Sequence, residues 1–236
     1  MNEENIEYPI RINRYLALKG VSVRREADKL VEQKLVKING RVARLGDKVY
    51  AGDVVDFSNV AARDYHYIAF NKPIGVVTHT PQDEDKSIKD VYRSRYDLFP
   101  VGRLDKESDG LIILTDDGRI TDRLLNPENE HEKEYAVKVN KKISGDFRRL
   151  MSKGVVIEGY KTKPSVLIPT GEKSFRLIIQ EGKKHQIRRM CTALGYEVSA
   201  LRRTRIMNIT LGGLASGEGR ELKGKELGIF LKNLGI

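Results

Sequence analysis

The 236-residue sequence predicts an α+β protein, in which a small N-terminal module precedes a larger domain with a largely antiparallel, mixed sheet. Two short helical patterns and a hairpin signal fall within the first sixty residues. After them come many short strand patterns, which outnumber the helices between them. No apolar run reaches the roughly 18 residues that are needed to cross a bilayer. We therefore expect a globular protein with no membrane partner.

The N-terminal module is predicted to contain two helices and a hairpin. Apolar residues recur at helical spacing over 12–18, and Gly20 ends that helix. Ser22 can cap a second amphipathic helix. Residues 36–40 alternate like a strand and close with Asn-Gly, which is a strong hairpin signal. A last short strand is expected after the turn at Gly52-Asp53.

Residues 58–64 are polar, show no apolar periodicity and are predicted to be a linker. The linker separates the module at 9–57 from a larger domain at 65–236. The predicted strands of that domain are 67–70, 75–79, 111–115, 135–139, 155–157, 166–168 and 175–180. Its predicted helices are 120–125, 145–151 and 184–194.

The positive charge of the chain is concentrated in two segments. The 43 Lys and Arg residues against 33 Asp and Glu give a net charge of +10. Segments 11–48 and 181–205 carry +7 and +5, so the rest of the chain nets −2. Two basic patches suit a long polyanion that contacts the protein at two places and releases counterions on binding. Solvated helix faces are the alternative, and the clustering favours nucleic acid.

Composition also bears on cofactors and cellular compartment. The single cysteine, Cys191, excludes an internal disulfide and a cysteine-rich zinc site and favours a reducing cytoplasm. Residues 1–9 contain three glutamates and no basic residue, so no secretory signal is expected. The four histidines lack metal-ligand spacing, and the chain has no glycine-rich nucleotide loop. We expect a cytoplasmic protein without metal or cofactor.

Ordered motifs over nearly the whole chain resemble two known families. The patterns at 11–16, 22–28 and 36–40 resemble the S4-type RNA-binding domain, with Val23 as a mild departure from its usual Ser-Arg-Arg-Glu-Ala run. The later motifs resemble, in the same order, the RsuA-type ribosomal RNA pseudouridine synthases. Those motifs lie at 71–75, 101–111, 131–135, 181–190 and 203–207. The His-Glu-Lys-Glu-Tyr and Arg-Thr-Arg-Ile-Met runs are most similar to the RluF-like branch, which acts on large-subunit RNA.

This resemblance implies that the chain isomerises specific uridines of ribosomal RNA, with large-subunit 23S RNA favoured, after flipping the target base out of its helix. The reaction breaks a nitrogen–sugar bond and rejoins the sugar through a ring carbon without net oxidation or addition. No cofactor is therefore needed, and a monomer suffices. Two alternatives stay open: a non-catalytic ribosome assembly factor that binds RNA, and a synthase that acts mainly on transfer RNA.

The resemblance assigns catalysis to Asp105, Tyr135 and Arg188. Asp105 precedes an apolar strand, on a loop where a carboxylate can form an adduct with the sugar or stabilise its developing charge. Tyr135 is expected to stack on the flipped base, and its hydroxyl to assist removal of a proton from the ring carbon. Arg188 is expected to pair with Asp105 or to bind a phosphate. Position alone would equally allow a loop acid, a core tyrosine and a solvated basic helix face.

Further residues are expected to contact RNA, and Lys72 is placed at the rim of the cleft. In the larger domain the set comprises Lys72, Arg103, Leu104, Lys106, His185, Gln186, Ile187 and Arg189. In the N-terminal module the expected electrostatic clamp consists of Arg14, Arg24, Arg25 and Lys29. Arg203 and Arg205 are either phosphate contacts or members of structural salt bridges.

Overall fold

The computed structural model describes residues 7–22, 24–60, 64–79 and 85–236, without the side chains of Arg24 and Arg25. The chain divides into two compact units. One combines the described part of Met1–Tyr65 with Asp117–Ile120 and Lys232–Ile236, and the other contains His66–Asp116 and Thr121–Leu231. The domain boundaries expected from the sequence stay a prediction. Val23 and residues 61–63 of the expected linker lie outside the described residues.

The N-terminal unit packs two helices against short strands. In chain order its elements are β1 (Ile10–Arg11), α1 (Ile12–Leu18), α2 (Arg24–Glu32), β2 (Lys37–Ile38), β3 (Arg41–Val42), β4 (Lys48–Val49) and β5 (Val55–Asp56). The strands pair as β1 with β4 and in the order β3-β2-β5. β5 is the predicted last strand after the turn at Gly52, and β4 before that turn is an additional one. Asn39 and Gly40 both have positive φ, which confirms the predicted Asn-Gly hairpin. Leu16, Val36 and Val49 are fully buried in the core.

A mixed sheet forms the centre of the larger unit. The elements after Tyr65 are β6 (Tyr67–Lys72), α3 (Ile88–Val91), β7 (Phe99–Val101), β8 (Asp109–Thr115), α4 (Arg119–Leu125), β9 (Lys133–Val139), α5 (Gly145–Lys153), β10 (Val156–Ile157), β11 (Tyr160–Lys161), β12 (Val166–Gly171), β13 (Ser174–Ile179), α6 (Gln186–Ala193), β14 (Val198–Ile206), β15 (Ile209–Thr210), β16 (Gly219–Glu221) and α7 (Gly224–Asn233). Among the described residues the sheet has nine strands in the order β12-β13-β9-β14-β8-β6-β16, with β15 beside β14 and β7 beside β8. Of these pairs β14 and β8 alone are parallel, which confirms the predicted, largely antiparallel mixed sheet.

Two patterns of burial explain how the sheet is assembled. Every residue of β8 is buried, as its continuous apolar run over 111–114 requires of a central strand. In β9 every second residue is buried, beginning with Lys133 and Tyr135. The buried face of α6 carries Ile187, Met190 and Cys191, which pack into the same core as Tyr135. The helix is therefore fixed beside β9, with its buried face as predicted from the sequence.

The strand predicted at 75–79 is wrong. Gly75 has a φ of +84°, and its amide donates a 2.8 Å hydrogen bond to the carbonyl of Lys106, so the chain turns here. Val77 makes an isolated bridge with Ser87. The segment is apolar because Val76 is buried in a core cluster, and burial rather than strand pairing explains its hydrophobicity.

The central strand β14 was not predicted from the sequence. Its three arginines interrupt the apolar pattern that indicates a strand. In the structure Arg202 forms a 2.6 Å ion pair with Asp109, and Arg205 forms one of 2.9 Å with Glu132. These partners lie on or beside the neighbouring strands and compensate the charge. Arg205 is thus a member of a structural salt bridge, the second of the two alternatives left open above.

Candidate active site

An open cleft of about 610 Å³ lies in the larger unit. Its walls come from the loop before β8, from β9 and β14, and from the loop before α6. Asp105 and Tyr135 both line it, so the structure brings together two residues that are thirty positions apart in the sequence. The cleft has the size and mixed polarity of a site that takes a small molecule or a single nucleotide.

The backbone around Asp105 is held in place from several sides. The hydroxyl of Thr78 donates a 2.7 Å hydrogen bond to the Leu104 carbonyl and accepts one of 3.0 Å from the Leu104 amide. The amide of Ser108 donates to the Asp105 carbonyl at 3.0 Å. The Leu104 side chain packs into the core, whereas that of Asp105 remains 29% exposed. The carboxylate is therefore fixed by its loop but accessible from the cleft.

The structure places His185 beside Asp105. The imidazole Nε2 lies 3.4 Å from Oδ1 of the carboxylate. His185 is the N-cap of α6 and has a left-handed backbone, with φ 54° and ψ 26°. The imidazole therefore stands directly beside the carboxylate. From the sequence, His185 is expected to contact RNA, and its position beside Asp105 was not predicted.

A buried carboxylate holds the loop that carries His185. Glu181 is 3% exposed and accepts hydrogen bonds from the Tyr160 hydroxyl at 2.6 Å and from the Gln186 side-chain amide at 2.7 Å. The bond to Glu181 raises the pKa of Tyr160. The ammonium of Lys183 lies 3.5 Å from the centre of the Tyr160 ring. The contact with Tyr160 could not be predicted from the 181–190 motif, because Tyr160 is distant from that motif in the sequence.

Three buried residues of the cleft lining, Lys133, Tyr135 and Arg203, lie together on β9 and β14, and we call them the cleft floor. They are 8%, 7% and 4% exposed. Tyr135 pairs in register with Arg203, and the Tyr135 hydroxyl lies 3.5 Å from an Arg203 nitrogen. Burial and the neighbouring positive charge of Arg203 lower the pKa of Lys133 from 10.5 to about 8. The floor thus combines an aromatic ring with two cations.

Comparison with protein families identifies the chain. Residues 66–193 match the family model described as RNA pseudouridylate synthase, and residues 10–55 match that of the S4 domain. The chain belongs to the RNA pseudouridine synthases. The expectation of an S4 domain followed by a synthase domain is therefore confirmed. This family is enzymatic, so the alternative of a non-catalytic assembly factor is not retained.

Individual relatives agree with this assignment. A protein of Salmonella typhi named dual-specificity RNA pseudouridine synthase RluF is 45% identical over 222 residues, which cover 92% of this chain and 77% of the relative. The ribosomal large subunit pseudouridine synthase B of Bacillus subtilis is 33% identical over 228 residues, which cover 92% of this chain and 93% of the relative. A crystal structure of a pseudouridylate synthase matches with a TM-score of 0.69 at 29% identity, over 95% of this chain and 99% of that one.

Arg188 of the synthase lies differently from the sequence prediction. Within the described residues it forms no ion pair with Asp105. Its guanidinium instead donates to the carbonyls of Glu107 and Val198 at 3.1 and 3.3 Å, and to the Ser108 hydroxyl at 3.3 Å. The predicted pairing of Arg188 with Asp105 is therefore wrong. The helix α6 directs Arg188 to the loop behind Asp105, and the left-handed N-cap directs His185 to the Asp105 carboxylate.

Several predicted RNA contacts of the synthase are buried. Lys72, expected at the rim, is fully buried, and its ammonium donates to the carbonyls of Pro73 and Val76 at 2.8 and 2.7 Å. Burial lowers the pKa of Lys72 to about 8, although Asp109 and Asp105 act against the shift. Gln186 and Ile187 line the cleft, but both are buried, as is Leu104. The Gln186 side chain is occupied by Glu181 and the Lys183 amide.

Other predicted contacts are accessible. Arg103 and Lys106 are exposed on the cleft wall, and Lys106 forms a 2.5 Å ion pair with Asp85. Arg189 lies outside the cleft lining and pairs with Glu158 at 2.8 Å. In the N-terminal unit the side chains of Arg14 and Lys29 are exposed. The remaining two clamp residues, Arg24 and Arg25, belong to α2, but their side chains lie outside the described atoms.

The described ranges also bear on metal binding and on membrane insertion. They contain no group of three or more His, Cys, Asp or Glu residues that could hold a metal ion. None of their helices is both long and apolar enough to cross a bilayer. The expectations about metal and membrane stay predictions.

Proposed function

We propose that this synthase converts specific uridines of ribosomal RNA, large-subunit RNA first of all, to pseudouridine with Asp105 as the catalytic carboxylate. The observation that carries the proposal is that Asp105 and Tyr135 line the same cleft, with the carboxylate accessible and its loop fixed. The relative from Bacillus subtilis is named for the large ribosomal subunit, which supports the choice of substrate. A cytoplasmic monomer without cofactor suffices for this function.

In the proposed mechanism the target nucleotide is flipped out of its helix and enters the cleft. The ring of Tyr135 offers a surface against which the uracil stacks. When the bond between the sugar and uracil breaks, Asp105 either forms an adduct with the sugar carbon or stabilises the positive charge that develops there. His185 stands beside the carboxylate, and Arg188 holds the loop of Asp105 through the Glu107 carbonyl and the Ser108 hydroxyl. Arg103 and Lys106 hold the RNA backbone at the cleft wall.

Incubation with unmodified RNA tests the substrate. We expect the purified synthase to introduce one or a few pseudouridines into unmodified large-subunit ribosomal RNA without added metal or cofactor. Chemical labelling followed by primer extension maps them. Small-subunit RNA and transfer RNA serve as parallel substrates. Modification of transfer RNA alone, with ribosomal RNA untouched, would contradict the proposed substrate.

Transfer RNA is a second candidate substrate for one specific reason. The Salmonella typhi relative bears the words dual-specificity in its name, so a member of this family can act on more than one target. A cleft that reads one flipped nucleotide does not by itself restrict the surrounding RNA. In the assay above, modification of both RNA classes would establish dual use.

The S4 unit is proposed to contribute affinity through phosphate contacts. In a double variant, Arg14→Gln/Lys29→Gln, we expect weaker RNA binding. The slope of the logarithm of the binding constant against the logarithm of the salt concentration should fall by about 1 for each residue. The measurement is a binding titration at several salt concentrations. Lys142→Gln/Lys173→Gln, a pair of exposed lysines in the larger unit, controls for total charge. An unchanged slope in the Arg14 and Lys29 variant, or an equal loss in the control, would contradict the clamp.

A further inference from the structure

The two cations of the cleft floor have no function in the mechanism above. Lys133 comes two residues before Tyr135 on the buried face of β9, and Arg203 stands opposite Tyr135 on β14. Both side chains are more than nine-tenths buried, and both line the cleft. Long cationic side chains usually reach out to water. Here the sheet holds two of them inward, one two residues before Tyr135 on β9 and one opposite Tyr135 on β14.

Neither cation has its hydrogen-bonding capacity satisfied. One terminal nitrogen of Arg203, Nη2, is buried without a partner, and Nη1 makes only long contacts of 3.4 and 3.5 Å to the Arg103 carbonyl and the Tyr135 hydroxyl. The ammonium of Lys133 donates to one carbonyl, that of His131, at 3.2 Å. Three donors are available on an ammonium. Buried donors of this kind are costly unless a ligand completes them.

The charge of the pair is also uncompensated. Neighbours of Arg203 on the same strand, Arg202 and Arg205, both have carboxylate partners within 3 Å. Over the described part of the chain, neither Arg203 nor Lys133 forms an ion pair with a carboxylate. A buried cation normally requires such a partner. The contrast along one strand indicates that the missing negative charge comes from a ligand.

We propose that Lys133 and Arg203 form a subsite for the uracil ring and hold the negative charge on its carbonyl oxygens while the base is detached from the sugar. The inference rests on the proposed function and assigns the substrate contacts of that site. The two cations would be catalytic residues, since they touch the reacting base. Hydrogen-bond donors that already point to a developing oxyanion make one of the largest contributions to transition-state stabilisation.

The charge changes of the isomerisation explain what such a site would do. The bond between N1 and the sugar carbon C1′ breaks with its electron pair left on the base, so uracil becomes an anion whose charge spreads to O2 and O4. The Asp105 carboxylate supplies an electron pair and bonds to C1′. After the base turns, C5 supplies the electron pair for the new bond to C1′, and the bond between Asp105 and C1′ breaks with its electron pair returning to the carboxylate. The C5 proton passes to a base in the cleft, N1 takes up a proton, and the net composition is unchanged.

The placement of the cations favours the base over a backbone phosphate. Arg103, Lys106 and Lys184 line the cleft on its exposed wall, where a phosphodiester can reach them while remaining in the RNA strand. Lys133 and Arg203 lie at the cleft floor around Tyr135. A flipped base is the part of a nucleotide that extends furthest from the strand. Its oxygens are therefore the acceptors suited to the buried donors.

Substitution of Lys133 tests the subsite. Lys133→Met keeps the length of the side chain and removes the charge, whereas Lys133→Arg keeps the charge. Lys138→Met makes the same change at an exposed position of the same strand. We expect Lys133→Met to lower the single-turnover rate at saturating RNA by about 10²-fold with nearly unchanged RNA affinity. Lys133→Arg should recover part of the rate, and Lys138→Met should behave as wild type.

A second substrate separates charge stabilisation from folding. Fluorine at C5 withdraws electrons and makes uracil a more stable anion, so 5-fluorouridine at the target position should depend less on Lys133. We expect the loss caused by Lys133→Met, measured as disappearance of the N1-linked nucleoside, to be smaller for 5-fluorouridine than for uridine. If methionine is not tolerated at this position, Lys133→Gln removes the same charge and keeps a donor for the His131 carbonyl.

The outcomes distinguish the subsite from the proposed function. Wild-type rates for Lys133→Met, or weaker RNA binding with an unchanged rate at saturation, would overturn the subsite alone; the second result would mark a phosphate contact. An equal loss for uridine and 5-fluorouridine would also overturn it, as expected of a structural role. If the wild-type protein forms no pseudouridine in large-subunit RNA, in small-subunit RNA or in transfer RNA, the proposed function is overturned, and the subsite with it.

Discussion

Asp105→Asn is expected to lower the rate of pseudouridine formation by on the order of 10⁴-fold, because an amide can neither attack the sugar carbon nor stabilise its positive charge. The exchange is nearly isosteric, and the loop is held through backbone groups of Leu104, Ser108 and Lys106. The fold should therefore persist. RNA affinity should change little, since the basic residues on the cleft wall remain. Single-turnover kinetics and an RNA titration measure the two quantities separately.

Glu107→Gln is the matched control for Asp105→Asn. Glu107 is exposed on the same loop, and only its backbone carbonyl contacts Arg188. The variant makes the same change of net charge two residues away. It should turn over at close to the wild-type rate. A loss in Glu107→Gln comparable to that in Asp105→Asn would show that the charge of the loop matters and not the carboxylate of Asp105, and so contradict its catalytic role.

Gly110→Ala is expected to have the largest effect on stability. Gly110 has a φ of +107°, a conformation that residues with a Cβ rarely adopt. A methyl group there would overlap backbone atoms of Arg203, with which Gly110 pairs across the parallel strands β8 and β14. Backbone strain and this overlap together should cost about 4 kcal/mol or more. That corresponds to a fall in Tm of roughly 10 °C or more.

Thermal unfolding monitored by circular dichroism measures this effect, with Gly145→Ala as the control. Gly145 is the first residue of α5, does not have positive φ, and has open space where a methyl group would be placed. That variant should be neutral or slightly stabilised, by about 0.5 kcal/mol. Similar Tm values for the two variants would contradict the close approach of β8 and β14 at Gly110.

Local patterns made much of the fold predictable. The apolar run of β8, the alternation of β9, the buried stripe of α6 and the Asn-Gly hairpin each depend on neighbouring residues, and all are present in the structure. β14 was missed because its arginines resemble a solvated surface. Their partners, such as Asp109 and Glu132, are distant in sequence and become adjacent only when the sheet forms.

The same reasoning explains what was predictable in the site. Motif resemblance selected Asp105 and Tyr135, and the structure brings both to one cleft. It could not show that His185 faces Asp105, because this depends on the left-handed backbone at the start of α6. Nor could it distinguish Lys72, which is buried against carbonyls, from a rim cation. The burial of Lys133 and Arg203 likewise follows only from the register of β9 and β14.

The most direct test of the proposed site is a crystal structure of the synthase bound to an RNA fragment with 5-fluorouridine at the mapped target position. We predict that the target nucleotide lies in the cleft, with its base against Tyr135, its sugar carbon C1′ beside the Asp105 carboxylate, and oxygens of the base within hydrogen-bond distance of Lys133 and Arg203. A target nucleotide bound outside the cleft, with Asp105 contacting no part of it, would contradict the catalytic assignment.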